Sequence, residues 1–130
     1  MIYGELLGKA GEYGVGYEHP ITQRLALGTA ASFAMIRGER ITTATPYVHA
    51  TLLQRDRQGM FVELGYVLAH SEIVSPVADW SGMSTTGGGG FGSLGYEYQT
   101  KRLVLRGSFS GVVGRHGVAP TIGLLVGVKP

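Results

Sequence analysis

The sequence predicts an all-β protein, an eight-stranded antiparallel up-and-down barrel whose large apolar residues face outward. Strand-like runs alternate with a period of two between large apolar residues and small or polar ones. The charged residues inside these runs share a face with glycine, alanine and serine. A soluble barrel has the reverse arrangement, with apolar side chains inside and charges in water. The pattern is therefore typical of a transmembrane β-barrel.

The strand-like runs follow one another along the whole chain, and residues 1–130 are expected to form a single β-barrel domain. Val, Thr, Tyr, Phe and Gly are frequent, and no long segment keeps the 3.6-residue period of a helix. A strand that crosses a bilayer at a tilt needs about 9–11 residues. The predicted runs are Ile2–Gly8, Glu12–Glu18, Arg24–Ile36, Thr45–Leu53, Met60–Ser71, Gly90–Tyr98, Leu103–Val113 and Pro120–Val128.

In the first half of the chain, the inward face is marked mainly by small residues. The first run carries Glu5, and the second places Gly14 and Gly16 on one face. An eight-stranded barrel is just wide enough to be filled by side chains, so large inward residues need small neighbours. The third run supplies such neighbours at alternate positions, namely Ala26, Gly28, Ala30, Ser32 and Ala34.

In the second half of the chain, the two faces are clearer. The fifth run sets one apolar face against a face that contains Glu63 and Gly65. The sixth sets Leu94, Tyr96 and Tyr98 against a face with Glu97, and the seventh opposes Arg106 to its apolar residues. The outward apolar residues predicted for the fifth and seventh runs are Val62, Leu64, Tyr66, Leu68, Leu103, Leu105, Phe109 and Val113.

The connections are predicted to alternate in length, as the two rims of an outer-membrane barrel do. Short polar connections are expected at His19–Gln23, Gln54–Gly59 and Gln99–Arg102, on the same side as both termini. On the other side, Arg37–Ala44 is predicted to be longer, Ser71–Gly89 far longer and Gly114–Ala119 of medium length, with the very short Lys9–Gly11 as an exception.

The long connection, residues 71–89, is the segment large enough to be a recognition surface. Trp80 and Met83 are its candidate contact residues, because long loops are where binding function concentrates. A variable loop without a partner is an equal alternative.

The charge of the chain argues against nucleic-acid binding. The net charge is +2 and the basic residues are scattered, so no nucleic-acid partner is expected.

His49, His70 and His116 have no metal-ligand spacing, and we expect no metal and no cofactor. His49 and Glu63 faintly suggest the base and acid of a lipid-modifying hydrolase, but they are predicted to lie on opposite faces. We therefore expect no catalytic residues and no enzymatic activity.

The inward charges Glu5, Glu63, Glu97 and Arg106 are predicted to form a network in the lumen. A tight turn at Thr100-Lys101 would place Gly95 opposite Arg106 and Glu97 on the diagonal. Arg106 would then lie among two or three carboxylates, since a buried charge must be paired. Such a network could gate a narrow ion path, or it could plug the lumen and fix the strand register. We favour the plug, because barrels of this size are too narrow to conduct freely.

The strands at 14–18 (Gly-Val-Gly-Tyr-Glu), 92–98 (Gly-Ser-Leu-Gly-Tyr-Glu-Tyr) and 122–128 (Ile-Gly-Leu-Leu-Val-Gly-Val) look like those of a known group. The chain resembles the small eight-stranded outer-membrane β-barrel families of Gram-negative bacteria, with OmpA- and OmpX-like architecture. The resemblance implies a place in the bacterial outer membrane, insertion by the outer-membrane assembly machinery, and a lipid bilayer or detergent as partner. Met1-Ile-Tyr-Gly-Glu lacks the features of a signal peptide, so we expect a mature segment.

Three functions remain open from the sequence. The first is a monomeric outer-membrane barrel with a structural role or a role in presenting its loops. The second is a narrow channel for small solutes or ions. The third is a soluble lipocalin-like carrier of an apolar ligand, which requires Leu94, Tyr96, Leu105, Leu124 and Val126 to face inward.

Overall fold

The computed structural model describes residues 1–9, 12–36, 39–73, 84–114 and 117–130. In this part of the chain, each strand pairs antiparallel with its neighbours in sequence, and the first also pairs with the last, so the sheet closes into a barrel. The predicted fold class is confirmed. No helix of the described residues is long and apolar enough to cross a membrane. The strands are β1 (Ile2–Leu6), β2 (Tyr13–Pro20), β3 (Leu25–Ile36), β4 (Glu39–Arg55), β5 (Gln58–Ile73), β6 (Ser84–Gln99), β7 (Leu103–Gly114) and β8 (Gly117–Val128).

The barrel has two rims. The terminal rim holds both chain ends and the turns after β2, β4 and β6, and the far rim holds the other connections. The predicted bounds of two connections, Arg37–Ala44 and Gly114–Ala119, are wrong. β4 already begins at Glu39 and β8 at Gly117, because the ladders continue to Ile36↔Glu39 and Gly114↔Gly117. Strands that keep pairing satisfy their backbone groups without a long loop.

The predicted loop 71–89 is also shorter than expected, since β5 reaches Ile73 and β6 begins at Ser84. Trp80 and Met83 fall in residues 74–83, outside the described part of the chain. The recognition surface on this loop stays a prediction.

The two faces of the sheet follow the predicted alternation. Glu63, Glu97 and Arg106 are buried inside, at 2%, 1% and 6% exposure. The lipocalin-like alternative is wrong, because it requires five apolar residues to face inward and all five are on the outer surface. Leu94, Tyr96, Leu105, Leu124 and Val126 are 41–62% exposed.

Small inward residues make room for large ones, as predicted from the narrow interior. A Cβ atom added at Gly16 would collide with the ring of Tyr3, and one added at Gly28 with the ring of Tyr47. Tyr3 and Tyr47 are 2% and 3% exposed. Glycine on β2 and β3 is therefore required by the close approach of tyrosines from the neighbouring strands.

A β-bulge in β4 changes which residues share a face. The register shifts between Thr51 and Leu53, so Leu52 is an extra residue on this strand. A bulge of one residue reverses the inside and outside faces beyond it. His49 therefore lies opposite Glu63, and both side chains point into the lumen. The prediction that they lie on opposite faces is wrong for this reason.

The turn between β6 and β7 is longer than predicted. Gln99↔Val104 is the last ladder pair, and the Thr100 hydroxyl accepts a hydrogen bond from the Leu103 amide at 3.0 Å. The register therefore shifts by two residues from the predicted one. Glu97 lies directly opposite Arg106, not on its diagonal.

Candidate functional site: a charged cluster in the lumen

Arg106 on β7 is the centre of a cluster of buried charges. Its Nη1 and Nη2 atoms donate to Glu18 Oε2 at 2.7 Å and Glu18 Oε1 at 2.9 Å, so this ion pair is bidentate. Its Nε donates to Glu97, and Nη1 lies 3.6 Å from Glu63 Oε1. The guanidinium carbon is 5.3 Å from the centre of the Phe61 ring. A planar guanidinium suits such multiple carboxylate contacts.

Lys9 supplies a second positive charge from the connection after β1. The chain turns inward at Leu7, which has a left-handed φ of 53°, and Lys9 is only 4% exposed. Its Nζ lies 3.2 Å from Glu5 Oε2 and 3.3 Å from Glu63 Oε2. The Lys9 carbonyl accepts a hydrogen bond from the Ser32 hydroxyl at 3.3 Å. The turn is thus anchored inside the barrel by both its charge and its backbone.

His49 links the two halves of the cluster. Its Nε2 lies 3.5 Å from Arg106 Nη2, which can only donate, so Nε2 accepts. Nδ1 then carries the hydrogen and donates to Glu63 Oε1 at 3.1 Å. This tautomer is assigned from the hydrogen bonds around the ring. It makes His49 a neutral bridge between a cation and a carboxylate.

Two tyrosines close the cluster on the side of β1 and β4. The Tyr47 hydroxyl donates to Glu18 Oε2 at 3.0 Å and lies 2.8 Å from the Tyr3 hydroxyl. Lys9 Nζ is 5.0 Å from the centre of the Tyr3 ring and 4.5 Å from that of Tyr47, within the range of a cation–π interaction. The aromatic rings thereby cover the Lys9 ammonium and add to its ion pairs with Glu5 and Glu63.

The structure brings three of the predicted site residues, Glu63, Glu97 and Arg106, into direct proximity. Among the described residues, Glu5 joins them through Lys9. Sequence reasoning missed several members of the cluster. Those residues are Lys9, Glu18, Tyr3, Tyr47 and His49.

One missed residue had a signal in the sequence. Glu18 shares the parity of Gly14 and Gly16, which were correctly assigned to the inner face. Lys9 had none, because it lies in a connection where alternation says nothing about direction. Tyr47 was missed as well, although it is buried in the lumen.

The cluster contains a possible ligand set for a metal ion. One atom each from Glu18, His49 and Glu63 lies within 4.8 Å of the others. These atoms are already engaged, however: Glu18 by both prongs of Arg106, and Glu63 by Lys9 and His49. A cation there would have to displace two buried positive charges. The donor set therefore fits internal ion pairing better than metal binding.

A cavity lies on each side of the cluster. The one at the terminal rim has a volume of about 650 Å³ and reaches Glu97 and Arg106 from outside. The one at the far rim has a volume of about 890 Å³ and shares no lining residue with it. Between them, a space of about 10 Å³ beside Lys9 and Arg106 has room for about one water molecule. Within the described residues, the charged cluster separates the two cavities.

No protein-family model matches the chain, and no curated protein matches it. Solved structures do match, among them two of Ail, the attachment invasion locus protein of Yersinia pestis. The first has a TM-score of 0.64 at 9% sequence identity, covering 98% of this chain and 91% of that one. The second, in complex with the heparin analogue sucrose octasulfate, has a TM-score of 0.64 at 8% identity, covering 98% and 92%. At such low identities the likeness shows the fold alone.

Proposed function

We propose that this protein is an integral β-barrel of the bacterial outer membrane, with a closed lumen and a structural or loop-presenting role. The observation that carries the proposal is the inversion of the sheet: large apolar residues outside, an ion-pair network inside. An apolar surface around the whole barrel would be very unfavourable in water, where monomeric proteins expose only small apolar patches. In a bilayer the same surface meets hydrocarbon.

The strand lengths support the same environment. Six of the eight strands, β3 to β8, contain 12–17 residues, and a tilted strand needs about 9–11 to cross a bilayer. β1 and β2 are shorter, with 5 and 8 residues. Pairing of Ile2–Leu6 of β1 with Leu124–Val128 of β8 closes this part of the sheet, so its backbone groups are not left exposed to lipid. In this environment the chain is a monomer, inserted by the outer-membrane assembly machinery, with the terminal rim towards the periplasm.

In this proposal the lumen cluster has a structural role. Arg106 joins β7 to carboxylates on β2, β5 and β6, and Lys9 joins β1 to β5. Each ion pair fixes the relative height of the strands that it connects. The network thereby sets the register of the barrel and fills its interior.

Cell fractionation tests the location. The chain, placed behind a secretory signal sequence in a Gram-negative host, is expected in the outer-membrane fraction and resistant to extraction with carbonate. Recovery as a soluble periplasmic protein would contradict the proposal.

A narrow channel is the second candidate function, because the terminal-rim cavity gives water access to Arg106. The ion pairs that separate this cavity from the far-rim cavity favour the closed lumen. Recordings across planar bilayers are therefore expected to show no steady conductance. Regular conductance steps from the wild-type protein would favour the channel.

A further inference from the structure

In the part of the chain that the structure describes, the barrel wall has a gap on the far-rim side. The ladder between β1 and β8 ends at Leu6↔Leu124, so Gly117–Gly123 of β8 has no strand partner on that side among the described residues. The ladder between β2 and β3 ends at Tyr13↔Phe33, which leaves Ala34–Ile36 likewise without a partner from β2. Two free strand edges therefore face each other above the inward turn that follows β1.

The gap leads into the far-rim cavity, which has a volume of about 890 Å³. That volume lies within the range of about 300–1,000 Å³ that is usual for ligand sites. Ala34 and Thr121 line the cavity from the two free edges, and Leu7 lines it from the turn below. Its deeper wall is apolar and small, with Val67, Ala69, Gly89 and Val112.

The cavity is continuous with the outer apolar surface. Phe109 and Ile122 are paired across β7 and β8 and are 63% and 69% exposed on the outside, yet both also line the cavity. A molecule could therefore reach the cavity sideways, without passing through the rim. In a bilayer, the molecules present at that height are lipid acyl chains.

We propose that the far-rim cavity binds the acyl chain of a membrane lipid, which reaches it through the gap between β8 and β3. This inference rests on the proposed membrane location. An apolar cavity open to hydrocarbon is filled by hydrocarbon rather than water, since water needs polar partners there. Pro120 on the free edge has no backbone N–H, which lowers the number of donors left unsatisfied in lipid.

Thr121 indicates where the polar end of the acyl chain lies. Its Oγ1 is buried and has no hydrogen-bond partner among the described residues. A buried hydroxyl without a hydrogen-bond partner is unfavourable. Thr121 lines the cavity beside the gap. The ester carbonyl of a lipid can accept its hydrogen bond while the chain continues over Val67 and Ala69.

Photolabelling tests the site. The refolded protein is inserted into phosphatidylcholine vesicles that contain a small fraction of the same lipid with a diazirine on its acyl chain. After irradiation, adducts are mapped by mass spectrometry. We expect label on the inward-facing Val67 and Ala69 as well as on the outward-facing Leu64 and Leu94.

Two glycines provide matched variants. Gly87 lines the cavity and Gly90 lies on the opposite face of the same strand, and a Cβ at either would meet no atom within 4 Å. Gly87→Phe should remove the inward label by filling the cavity, whereas Gly90→Phe should retain it. Thr121→Val should lower the inward label several-fold.

The outcomes separate this inference from the proposed function. Label on Leu64 and Leu94 without label on Val67 or Ala69 overturns the acyl-chain site and leaves the membrane barrel intact. An inward label that Gly87→Phe does not reduce also overturns the site. Absence of label from both faces contradicts the membrane location itself.

Discussion

Arg106 lies where three other strands each contribute a carboxylate, Glu18 from β2, Glu63 from β5 and Glu97 from β6. A buried ion pair contributes little net stability compared with apolar packing, because both charges lose their hydration. Removing one partner is strongly destabilising, since the remaining charge stays buried without compensation. The cluster is therefore sensitive to single substitutions.

Arg106→Ala is expected to lower the free energy of unfolding by about 3–5 kcal/mol, because it leaves buried carboxylates unpaired. Urea titration of the protein in micelles, followed by tryptophan fluorescence or by gel mobility, measures this change.

Arg102→Ala is the matched control, since Arg102 lies exposed in the turn before β7. Its effect is expected to stay within about 0.5 kcal/mol, as for most surface substitutions. Equal unfolding midpoints for the two variants would contradict the structural role of the cluster.

At the scale of residues, the sequence predicts which face of the sheet a side chain takes better than it predicts which residue that side chain contacts. Alternation places Glu63, Glu97 and Arg106 inside, and the structure has them there. Which residue each one contacts depends on register, and register depends on details that alternation does not contain. The turn at Thr100–Arg102 moved Glu97 opposite Arg106, and the inward turn at Leu7 brought Lys9 between Glu5 and Glu63.

At the scale of elements, each strand carries an outward face that meets the proposed lipid. Leu94 on β6 is 50% exposed and pairs with Val62 and Phe109, whose side chains are also outward and apolar. Leu103 is the first residue of β7, at the terminal rim. The two leucines therefore sample different depths of the same apolar surface.

Leu94→Arg is expected to destabilise the barrel in vesicles by about 2–4 kcal/mol, because an arginine near the bilayer midplane is desolvated. Leu103→Arg should cost only about 0–1 kcal/mol, since the side chain reaches the interface. Denaturant titration in lipid vesicles measures both. A larger cost at Leu103 would contradict the placement of the terminal rim at the membrane surface.

The residues at which each strand begins and ends were less predictable than the face that each side chain takes. Arg37–Ala44 contains charges and threonines that suggest a loop, yet most of it belongs to β4. β4 gains its length from pairing with both β3 and β5, which is a tertiary effect. The bulge at Leu52 left no clear sign in the sequence, although it decides the direction of His49.

At the scale of the whole molecule, the strands close into a barrel but do not all reach the same height. β1 has 5 residues and β8 has 12, so among the described residues the wall is complete at the terminal rim and open beside β8 near the far rim. The sequence predicted the short first connection as an exception but not its consequence. That consequence is a charged plug from the inward turn below and an apolar cavity above it.

The proposed membrane location depends most on whether the outer face of the barrel meets lipid. The direct measurement is to refold the chain in detergent micelles and in plain buffer, and to run each sample on a gel with and without boiling. We expect folding only in micelles, with a band that shifts on boiling, because the outer face is apolar. A folded, soluble monomer in buffer would contradict the membrane location.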